Sequence, residues 1–528
     1  MTRPLVLAAT TLSLLAALIF LDRIVNAHSE TAASIPTVQP VFTHGVASGD
    51  VTPTSAILWT RLDGPSSVIV DVWEDLTGQK VFQPTGSQAT AAGDFTVKIE
   101  ATGLRPDTSY YYRFRLGNGR DVSVSPVGTF KTAPAAGAPA SVKFTFAGDS
   151  DGTKVAGVPA FNAFETLNAV RLENADFFVY LGDTIYSDSG FRPAPAITLD
   201  DYHAAYRLNR TYPNLTDLLQ SSSTYAQPDD HEVFNNYSGQ TVDPGRYAAG
   251  IGAFLHYMPV RETGLLNDAT CAGSPLFRVF HWGSMVDVIM LDERSCRSSD
   301  VTVACQNDLA PTLPSSLRLQ FGLPASPPAG CLAAINDSTR TLLGPVQKQA
   351  FKDALSHSTA KFKFVINGEP IQQFWALPYD RWEGYAAERN EILDFIRDPD
   401  NNAATADAIK NVVFLTTDMH ATLVNEVFKD RFTAPGTIAQ EVVTGPIATN
   451  TYQQEIVAAY GIARVAQFQA ALNLAGVDCR NLDRNSYGLI EVNALLGTAT
   501  ITSKDQGGNP VPDQAGSRVP PCRKTLGP

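Results

Sequence analysis

Four short apolar stretches of this chain each end in acidic residues or in an acidic residue with a histidine. The clearest is Phe177–Tyr186, in which the run FFVYL stops at a glycine and is followed by Asp183 and Tyr186. A buried strand followed by a glycine turn is how α/β enzymes place ligands at the carboxyl edge of a sheet. The other three stretches end in Asp149, in the run DDHE at 229–232, and in Asp418 with His420. Together they predict a site for a hard metal ion.

The residue types at these ends indicate what the site could do. Carboxylates and imidazoles suit divalent or trivalent first-row metals and calcium rather than a zinc–thiolate centre. Two metals about 3.5–4 Å apart can share a carboxylate, activate a water and clamp both oxygens of a phosphoryl transfer. Asp183 is the natural bridge because its turn points it along the strand axis, and the phenol of Tyr186 suits ferric iron. His231 lies in an acidic run, which should raise its pKa and let it protonate a leaving oxygen.

Each of these residues also has a purely structural interpretation. An aspartate after a strand is often the N-cap of the next helix, and Asp229 with Asp230 could form a solvated turn. His420 could be a hydrogen-bonded core histidine. The joint occurrence of all four stretches favours the metal site.

With 528 residues the chain is too long for one core, so we expect at least two domains. Short strands broken by turns over 42–132 predict a β-sandwich similar to fibronectin type III domains. A linker at 133–140 follows, and then apolar strands alternate with helical stretches over 141–503. This alternation predicts a layered α/β (α+β) sheet domain flanked by helices. Residues 504–528 are expected to be a Gly/Pro-rich tail.

The N-terminus is typical of a secretion signal at 1–27, followed by a flexible lead-in at 28–41. Arg3 precedes the apolar run Pro4–Leu21, and Val25-Asn26-Ala27 is a plausible cleavage site. Export to the periplasm or the extracellular space is expected, with an uncleaved anchor as the alternative and no stable membrane span after cleavage. The net charge of −13 argues against general nucleic-acid binding.

The six cysteines are an even number in a chain predicted to be exported, which favours disulfides over free thiols. Among the fifteen possible connectivities, the spacing favours three pairs. They are Cys296–Cys305, Cys479–Cys522 and Cys271–Cys331.

The motifs of the chain resemble those of the PhoD-like alkaline phosphatases and phosphodiesterases, a branch of the calcineurin-like metallophosphoesterases. The resemblance runs from about Phe42 to Val492. The motifs that carry it are THGVASGDVTPTSAILWTR (43–61), GDTIY (182–186), DDHEVFNNY (229–237), MPVRE (258–262), LDERSCR (291–297), DRWEGYAAER (380–389) and TTDMH (416–420). DDHE followed by NN is the most specific of these.

The resemblance implies an N-terminal β-sandwich on a metallophosphoesterase sheet sandwich, with a mixed site of ferric iron and calcium. By position it implies these metal ligands: Asp149, Asp183, Tyr186, Asp230, His231, Asp418 and His420. Asp183 would bridge the metals, His231 would be a ligand or an acid, and Asn235 or Asn236 would contact the phosphate. Asp149 stands where such enzymes often have a cysteine iron ligand, which leaves the identity of the metal open.

The expected activity is hydrolysis of small phosphate monoesters or diesters by in-line attack of metal-bound hydroxide. A phospholipase D-like diesterase that takes phospholipid is the alternative, and a non-catalytic exported binding protein on a degenerate enzyme fold is another. A purple acid phosphatase would require GNHE and GHxH where this chain has DDHE and TDMH. The oligomeric state and the natural substrate remain open.

Overall fold

The structure is a computed structural model that describes residues 41–74, 80–81, 86–116, 123–376, 378–401, 407–514 and 522–527. The predicted signal peptide, and the lead-in before Val41, lie outside these residues. The strands are β1 (Phe42–Gly49), β2 (Ser55–Leu62), β3 (Ser66–Trp73), β4 (Ser87–Ala89), β5 (Thr96–Thr102), β6 (Ser109–Leu116), β7 (Gly128–Lys131), β8 (Val142–Ala147), β9 (Lys154–Val155), β10 (Val158–Pro159), β11 (Phe177–Tyr180), β12 (Ser223–Ala226), β13 (Arg278–Trp282), β14 (Val286–Met290), β15 (Phe362–Ile366), β16 (Val412–Thr416), β17 (Thr422–Asp430), β18 (Ala434–Val443), β19 (Val477–Asn481), β20 (Ser486–Asn493), β21 (Thr498–Asp505) and β22 (Arg523–Leu526).

The α-helices are α1 (Glu165–Leu172), α2 (Leu199–Asn209), α3 (Pro213–Ser221), α4 (Pro244–Tyr257), α5 (Ser315–Gln320), α6 (Cys331–Ile335), α7 (Gly344–His357), α8 (Ala386–Arg397), α9 (Tyr452–Tyr460) and α10 (Val465–Ala475). Short 3₁₀ turns cover Ala91–Gly93, Trp382–Tyr385 and Ile462–Arg464. None of the helices in the described part of the chain is long and apolar enough to cross a membrane.

Two large sheets form the centre of the fold. The first has nine strands in the order β22-β21-β20-β8-β11-β12-β1-β2-β5, and the second has seven in the order β13-β14-β15-β16-β18-β17-β19. In the first sheet β8, β11 and β12 run parallel, and in the second β14, β15, β16 and β18 do so. Parallel strands bring their carboxyl ends to one edge, so each sheet presents several strand ends together.

The two sheets pack face to face through aromatic side chains. The ring of Phe144 on β8 lies 5.1 Å from that of Phe364 on β15 in an edge-to-face contact, and Phe177 on β11 lies 4.5 Å from Trp282 on β13. Each such ring, fully buried, contributes roughly 1.5–3 kcal/mol of hydrophobic stabilisation. The facing sheets therefore enclose one continuous apolar core.

Helices cover the outer faces of both sheets. Along β11, Phe177 and Val179 face the core between the sheets, whereas Phe178 and Tyr180 pack against Leu167 of α1 and Leu218 of α3. On the second sheet, Val365 and Phe414 pack against Phe351 of α7 and Ile392 of α8. The predicted α/β sheet sandwich with flanking helices is confirmed by this architecture and by the likeness to known structures described below.

The N-terminal β-rich region is continuous with the nine-stranded sheet. β1 pairs in parallel with β12, while β4-β3-β6-β7 form a separate four-stranded sheet. The close approach of β1 to β12 requires glycine at position 49, because a Cβ there would lie 2.4 Å from the Thr224 carbonyl oxygen. At the other end β22 pairs with β21, so residues 523–526 of the predicted tail belong to the same sheet.

Three disulfides are present among the described residues. Cys479–Cys522 joins β19 to the chain just before β22, as predicted. The other two predicted pairs are wrong: the bonds are Cys271–Cys296 and Cys305–Cys331. Chain spacing favoured Cys296–Cys305, but the backbone of Ala272 hydrogen-bonds to Ser295, which brings Cys271 to Cys296 instead. Cys305 lies in a buried cluster with Cys331 and Ile335.

Candidate metal centre

The predicted site residues follow the carboxyl ends of neighbouring strands. Asp149 follows β8, Asp183 follows β11, the run at 229–232 follows β12, and Asp418 follows β16 of the second sheet. Because the two sheets face each other, their strand ends meet at one edge of the sandwich. Two further strands deliver residues to this edge: β15 precedes Glu369 and β14 precedes Arg294.

The backbone at these strand ends is held in an unusual conformation. Asp149, Asp183, Asp418 and His420 have φ of 61°, 48°, 64° and 50°, a region that non-glycine residues rarely adopt. Such conformations persist only where the surrounding structure fixes them, and they concentrate at functional sites. Gly182 lies against the Asp229 side chain, and a Cβ added at position 182 would be only 2.7 Å from the Cβ of Asp229. The turn therefore needs glycine to bring Asp183 and Asp229 together.

A first cluster of potential ligands contains Asp183, Asp230 and His231, whose ligand atoms lie within 4.8 Å of one another. The His231 backbone N–H donates to Asp183 Oδ1 at 3.1 Å. His231 Nδ1 lies 2.6 Å from Asp188 Oδ1, which fixes the ring and leaves Nε2 directed at the cluster. Asp188 was not predicted from the sequence.

A second cluster contains Asp229, Glu369 and Asp418, again with ligand atoms within 4.8 Å of one another. Of these, only Asp418 was predicted as a ligand. Asp229 was noted in the DDHE run without a ligand role, and Glu369 was missed altogether. Glu369 follows β15 by three positions, so the strand-end pattern that singled out Asp183 could have found it.

Asp149, Tyr186 and His420 lie beside these clusters. The Asp149 carboxylate is fully buried and accepts from the Thr417 hydroxyl. The Tyr186 hydroxyl lies 3.0 Å from His420 Nε2, and Glu455 Oε1 lies 2.6 Å from His420 Nδ1. The clusters of three do not include these side chains: Tyr186 and His420 contact each other, and Asp149 contacts Thr417.

Asn235 and Asn236 lie at the exposed rim of the site. The Asn235 backbone N–H donates to Asp188 at 2.7 Å, and the Asn236 backbone N–H donates to Asp230 at 2.5 Å. With its amide nitrogen turned inward, the Asn236 side chain reaches Asp380 at 2.7 Å and Asp230 at 3.1 Å. Both asparagine residues are exposed, and the Asn236 amide is engaged by the two carboxylates.

A buried arginine ties the second cluster together. Arg294 Nε donates to Asp229 Oδ1 at 2.5 Å, Nη1 donates to Asp380 Oδ1 at 3.0 Å, and Nη2 donates to Glu369. Only 1% of its side chain is exposed, which makes this a desolvated charge network rather than a surface ion pair. The guanidinium of Arg294 therefore serves to hold these carboxylates.

The electrostatics of the clusters favour bound cations. Burial, together with the charges of Asp230 and Asp229, raises the pKa of Asp183 well above its usual range, and burial does the same for Asp418. Burial raises the pKa of Asp229 to about 6. For His231 burial alone would lower the pKa, but the Asp230 charge and the Asp188 hydrogen bond outweigh it and raise the pKa to about 9. Nearby positive charge would relieve this repulsion among carboxylates.

The donor atoms of both clusters fit metal ions. Three buried carboxylate oxygens of the two clusters have no hydrogen-bond partner among the described residues, namely Asp229 Oδ2, Asp230 Oδ1 and Glu369 Oε2. Buried polar atoms are normally paired, so unpaired ones need an explanation such as an ion. Carboxylate and imidazole donors suit hard cations.

Comparison with known families agrees with this geometry. The profile of the PhoD-like phosphatases matches residues 152–499, and that of the N-terminal domain of PhoD-like phosphatases matches residues 28–134. The chain belongs to the PhoD-like phosphatase family. The family predicted from the sequence motifs is thereby confirmed.

Individual relatives support the same assignment. Alkaline phosphatase D of Bacillus subtilis is 30% identical over 432 residues, covering 74% of this chain and 66% of that relative, just under two thirds of its length. A solved structure of PhoD is 25% identical with a TM-score of 0.69, covering 92% of this chain and 89% of that one. A purple acid phosphatase from yellow lupin seeds shares the fold only, at 10% identity and a TM-score of 0.55, covering 92% of this chain and 74% of that one.

Proposed function

We propose that this PhoD-like phosphatase hydrolyses phosphate monoesters or diesters at the two carboxylate clusters with bound metal ions. The proposal is carried by one observation: the unpaired buried oxygens of Asp229, Asp230 and Glu369 lie in two adjoining ligand clusters. Bound cations would polarise the phosphoryl oxygens and lower the pKa of a water. Asp183 belongs to the first cluster, and besides burial the charge of Asp229 in the second cluster raises its pKa, so it suits a bridging role.

The protein residues would then divide the work as follows. Asp230 and His231 complete the first cluster, and Asp188 keeps the proton on His231 Nδ1 so that Nε2 faces the reacting groups. Asn235 and Asn236 offer amide donors at the exposed rim, where the phosphate would bind. Asp149, Tyr186 and His420 would add ligands at the edge of the first cluster once a cation draws them in.

We also propose that the protein is exported and that residues 42–132 and 141–503 are two domains, which share the nine-stranded sheet through the pairing of β1 with β12. Three disulfides support export, because such bonds persist in oxidising compartments. The family profiles, which match 28–134 and 152–499, support the division.

A metal-dependence assay tests the proposed activity. We expect the purified protein to release nitrophenol from p-nitrophenyl phosphate or bis-p-nitrophenyl phosphate. Chelation of the metal should lower the rate of release at least about a hundredfold, and metal addition should restore it. The rate and the metal content would be measured on the same samples. Full activity in protein stripped of metal by elemental analysis would contradict the proposal.

The metal identity has its own test at Tyr186. We propose ferric iron with calcium, and a ferric–tyrosinate pair absorbs visible light. Burial raises the pKa of this phenol well above its usual range, so only a bound cation would ionise it at neutral pH. We expect a visible band in the purified protein that Tyr186→Phe removes. A colourless, iron-free and fully active enzyme would overturn the iron assignment while leaving the activity intact.

A further inference from the structure

Helix α9 contacts His420 at two points. The Tyr452 backbone N–H, at the first residue of the helix, donates to the His420 carbonyl at 2.9 Å. Three residues further on, Glu455 Oε1 lies 2.6 Å from His420 Nδ1. The first turn that carries both contacts is itself fixed by a capping box between Thr451 and Gln454. The helix therefore holds both the backbone and the ring of this histidine.

The backbone of His420 depends on such contacts. Its φ of 50° lies in the left-handed region that a residue other than glycine rarely adopts. A conformation of this kind persists only where the surrounding structure fixes it. The contact with the Tyr452 backbone fixes the His420 carbonyl, which leaves the side chain of Glu455 to set the orientation of the ring.

The contact with Glu455 decides which ring nitrogen of His420 faces the metal centre. An ionised carboxylate only accepts hydrogen bonds, so the hydrogen of this contact lies on Nδ1. The other nitrogen, Nε2, lies 3.0 Å from the Tyr186 hydroxyl oxygen. The Tyr186 ring in turn stacks on the ring of His231 with the centroids 4.0 Å apart, and His231 belongs to the first cluster. Nε2 is thus the nitrogen on the side of the first cluster.

The same arrangement occurs at His231. Its Nδ1 lies 2.6 Å from Asp188 Oδ1, the distance also found between His420 and Glu455. Neither of these two carboxylates belongs to a ligand cluster. Histidines that bind a metal usually donate their other ring N–H to a carboxylate outside the site, which orients the ring and strengthens the ligand.

Glu455 is poorly placed to stabilise the fold. Its side chain is 41% exposed, whereas that of Asp188 is 13% exposed. An ion pair with this much exposure contributes little to stability. Asp188 also accepts from the Asn235 backbone and so holds a loop as well as a ring. Of the two carboxylates, Glu455 is therefore the one whose effect on the metal centre can be separated from its effect on folding.

We propose that Glu455 is a positioning residue for the metal centre. It holds the His420 ring with Nε2 available to a cation, and so raises the affinity of the site for that ion. The inference rests on the proposed metal-dependent function. Glu455 acts through the imidazole and not as a ligand.

Removal of metal by a chelator tests this role without turnover. The purified protein is equilibrated with increasing concentrations of EDTA, and the metal it retains is counted by elemental analysis. We expect one ion to bind roughly 10–100-fold more weakly in Glu455→Ala than in the wild type, the usual cost of losing such a partner. Glu455→Gln keeps an oxygen that accepts from Nδ1, so its affinity should lie between these two.

Two controls separate positioning from a general effect on α9. Gln453→Ala removes a side-chain contact with Asp483 from the same helical turn, and it should keep the wild-type affinity. In a His420→Ala background, Glu455→Ala should cause no further loss, because a residue that acts only through the ring has no effect without it. The Tm of the metal-free protein should be the same in Glu455→Ala and Gln453→Ala.

The outcomes separate this inference from the proposed function. Wild-type affinity in Glu455→Ala, or the same loss with and without the His420 ring, would show that the positioning role is wrong while the phosphoesterase proposal stands. A metal-free Tm that falls in Glu455→Ala but not in Gln453→Ala would also overturn it, because the loss would then come from folding. If the wild type retains metal but hydrolyses no phosphate ester, the proposed function fails and the role of Glu455 in metal affinity stands.

Discussion

Asp183→Asn is expected to lower kcat/KM for p-nitrophenyl phosphate by on the order of a thousandfold while the protein still folds. Asp183 follows β11, belongs to the first ligand cluster and is held in place by the His231 backbone. A bridging carboxylate positions both cations, and cation stabilisation of transferred phosphoryl charge is worth several kcal/mol. About 4 kcal/mol corresponds to a thousandfold in rate. The measurement is steady-state kinetics on protein whose fold is checked by circular dichroism.

The same variant should be more stable than the wild type when metal is absent. Burial raises the pKa of Asp183, so the folded state binds its proton more tightly than the unfolded state does. At pH values above the pKa that Asp183 has in the unfolded chain, the ionised carboxylate therefore lowers the stability of the metal-free fold. Asparagine carries no charge and removes this loss of stability. We expect a higher Tm for metal-free Asp183→Asn at neutral pH.

Asp50→Asn is the matched control for Asp183. Asp50 also follows a strand of the nine-stranded sheet, is buried and has a positive φ. Its carboxylate lies 2.7 Å from Arg278 Nη1, and it belongs to neither cluster. We expect this variant to lose stability and keep its kcat/KM. Wild-type activity in Asp183→Asn would contradict the bridging role.

Arg294→Ala should destabilise the metal-loaded protein by about 3–5 kcal/mol, because removing one partner of a buried ion pair leaves uncompensated charge. Three carboxylates lose their shared donor in this variant: Asp229, Glu369 and Asp380. The activity of this variant should fall together with its stability, because Asp229 and Glu369 belong to the second cluster. Urea unfolding of wild type and variant measures the difference.

Arg294→Lys shows whether charge alone is enough. Lysine keeps the positive charge but lacks the planar fork that reaches three carboxylates, so we expect a loss intermediate between wild type and alanine. A change below about 1 kcal/mol in the alanine variant would mean that the network is solvated and weak.

The pattern of apolar strands that end in aspartate predicted four residues that the structure brings into the two candidate clusters: Asp183, Asp230, His231 and Asp418. They come together because the sheet topology brings parallel strand ends to one edge. Their role as ligands stays a prediction. The prediction missed Glu369, although its strand was recognised and Glu369 follows that strand at the same offset at which Asp183 follows β11.

Contacts made through space limited the other predictions. Asp188 and Glu455 each contact a ring nitrogen of a site histidine, at chain separations of 43 and 35 residues. The pairing of Cys271 with Cys296 likewise depends on a loop contact, and the parallel pairing of β1 with β12 depends on a glycine that allows close approach. The local sequence pattern predicts the strands and helices. Contacts between residues far apart in the chain depend on how these elements pack, which the local pattern does not show.

Metal stoichiometry measured with activity is the most direct test of the two-cluster site. Elemental analysis of the active wild-type protein should give two metal ions per chain. Glu369→Gln, which removes one negative charge from the second cluster only, should lower this to about one with a matching loss of activity. A fully active wild-type enzyme that holds fewer than two ions per chain would contradict the account.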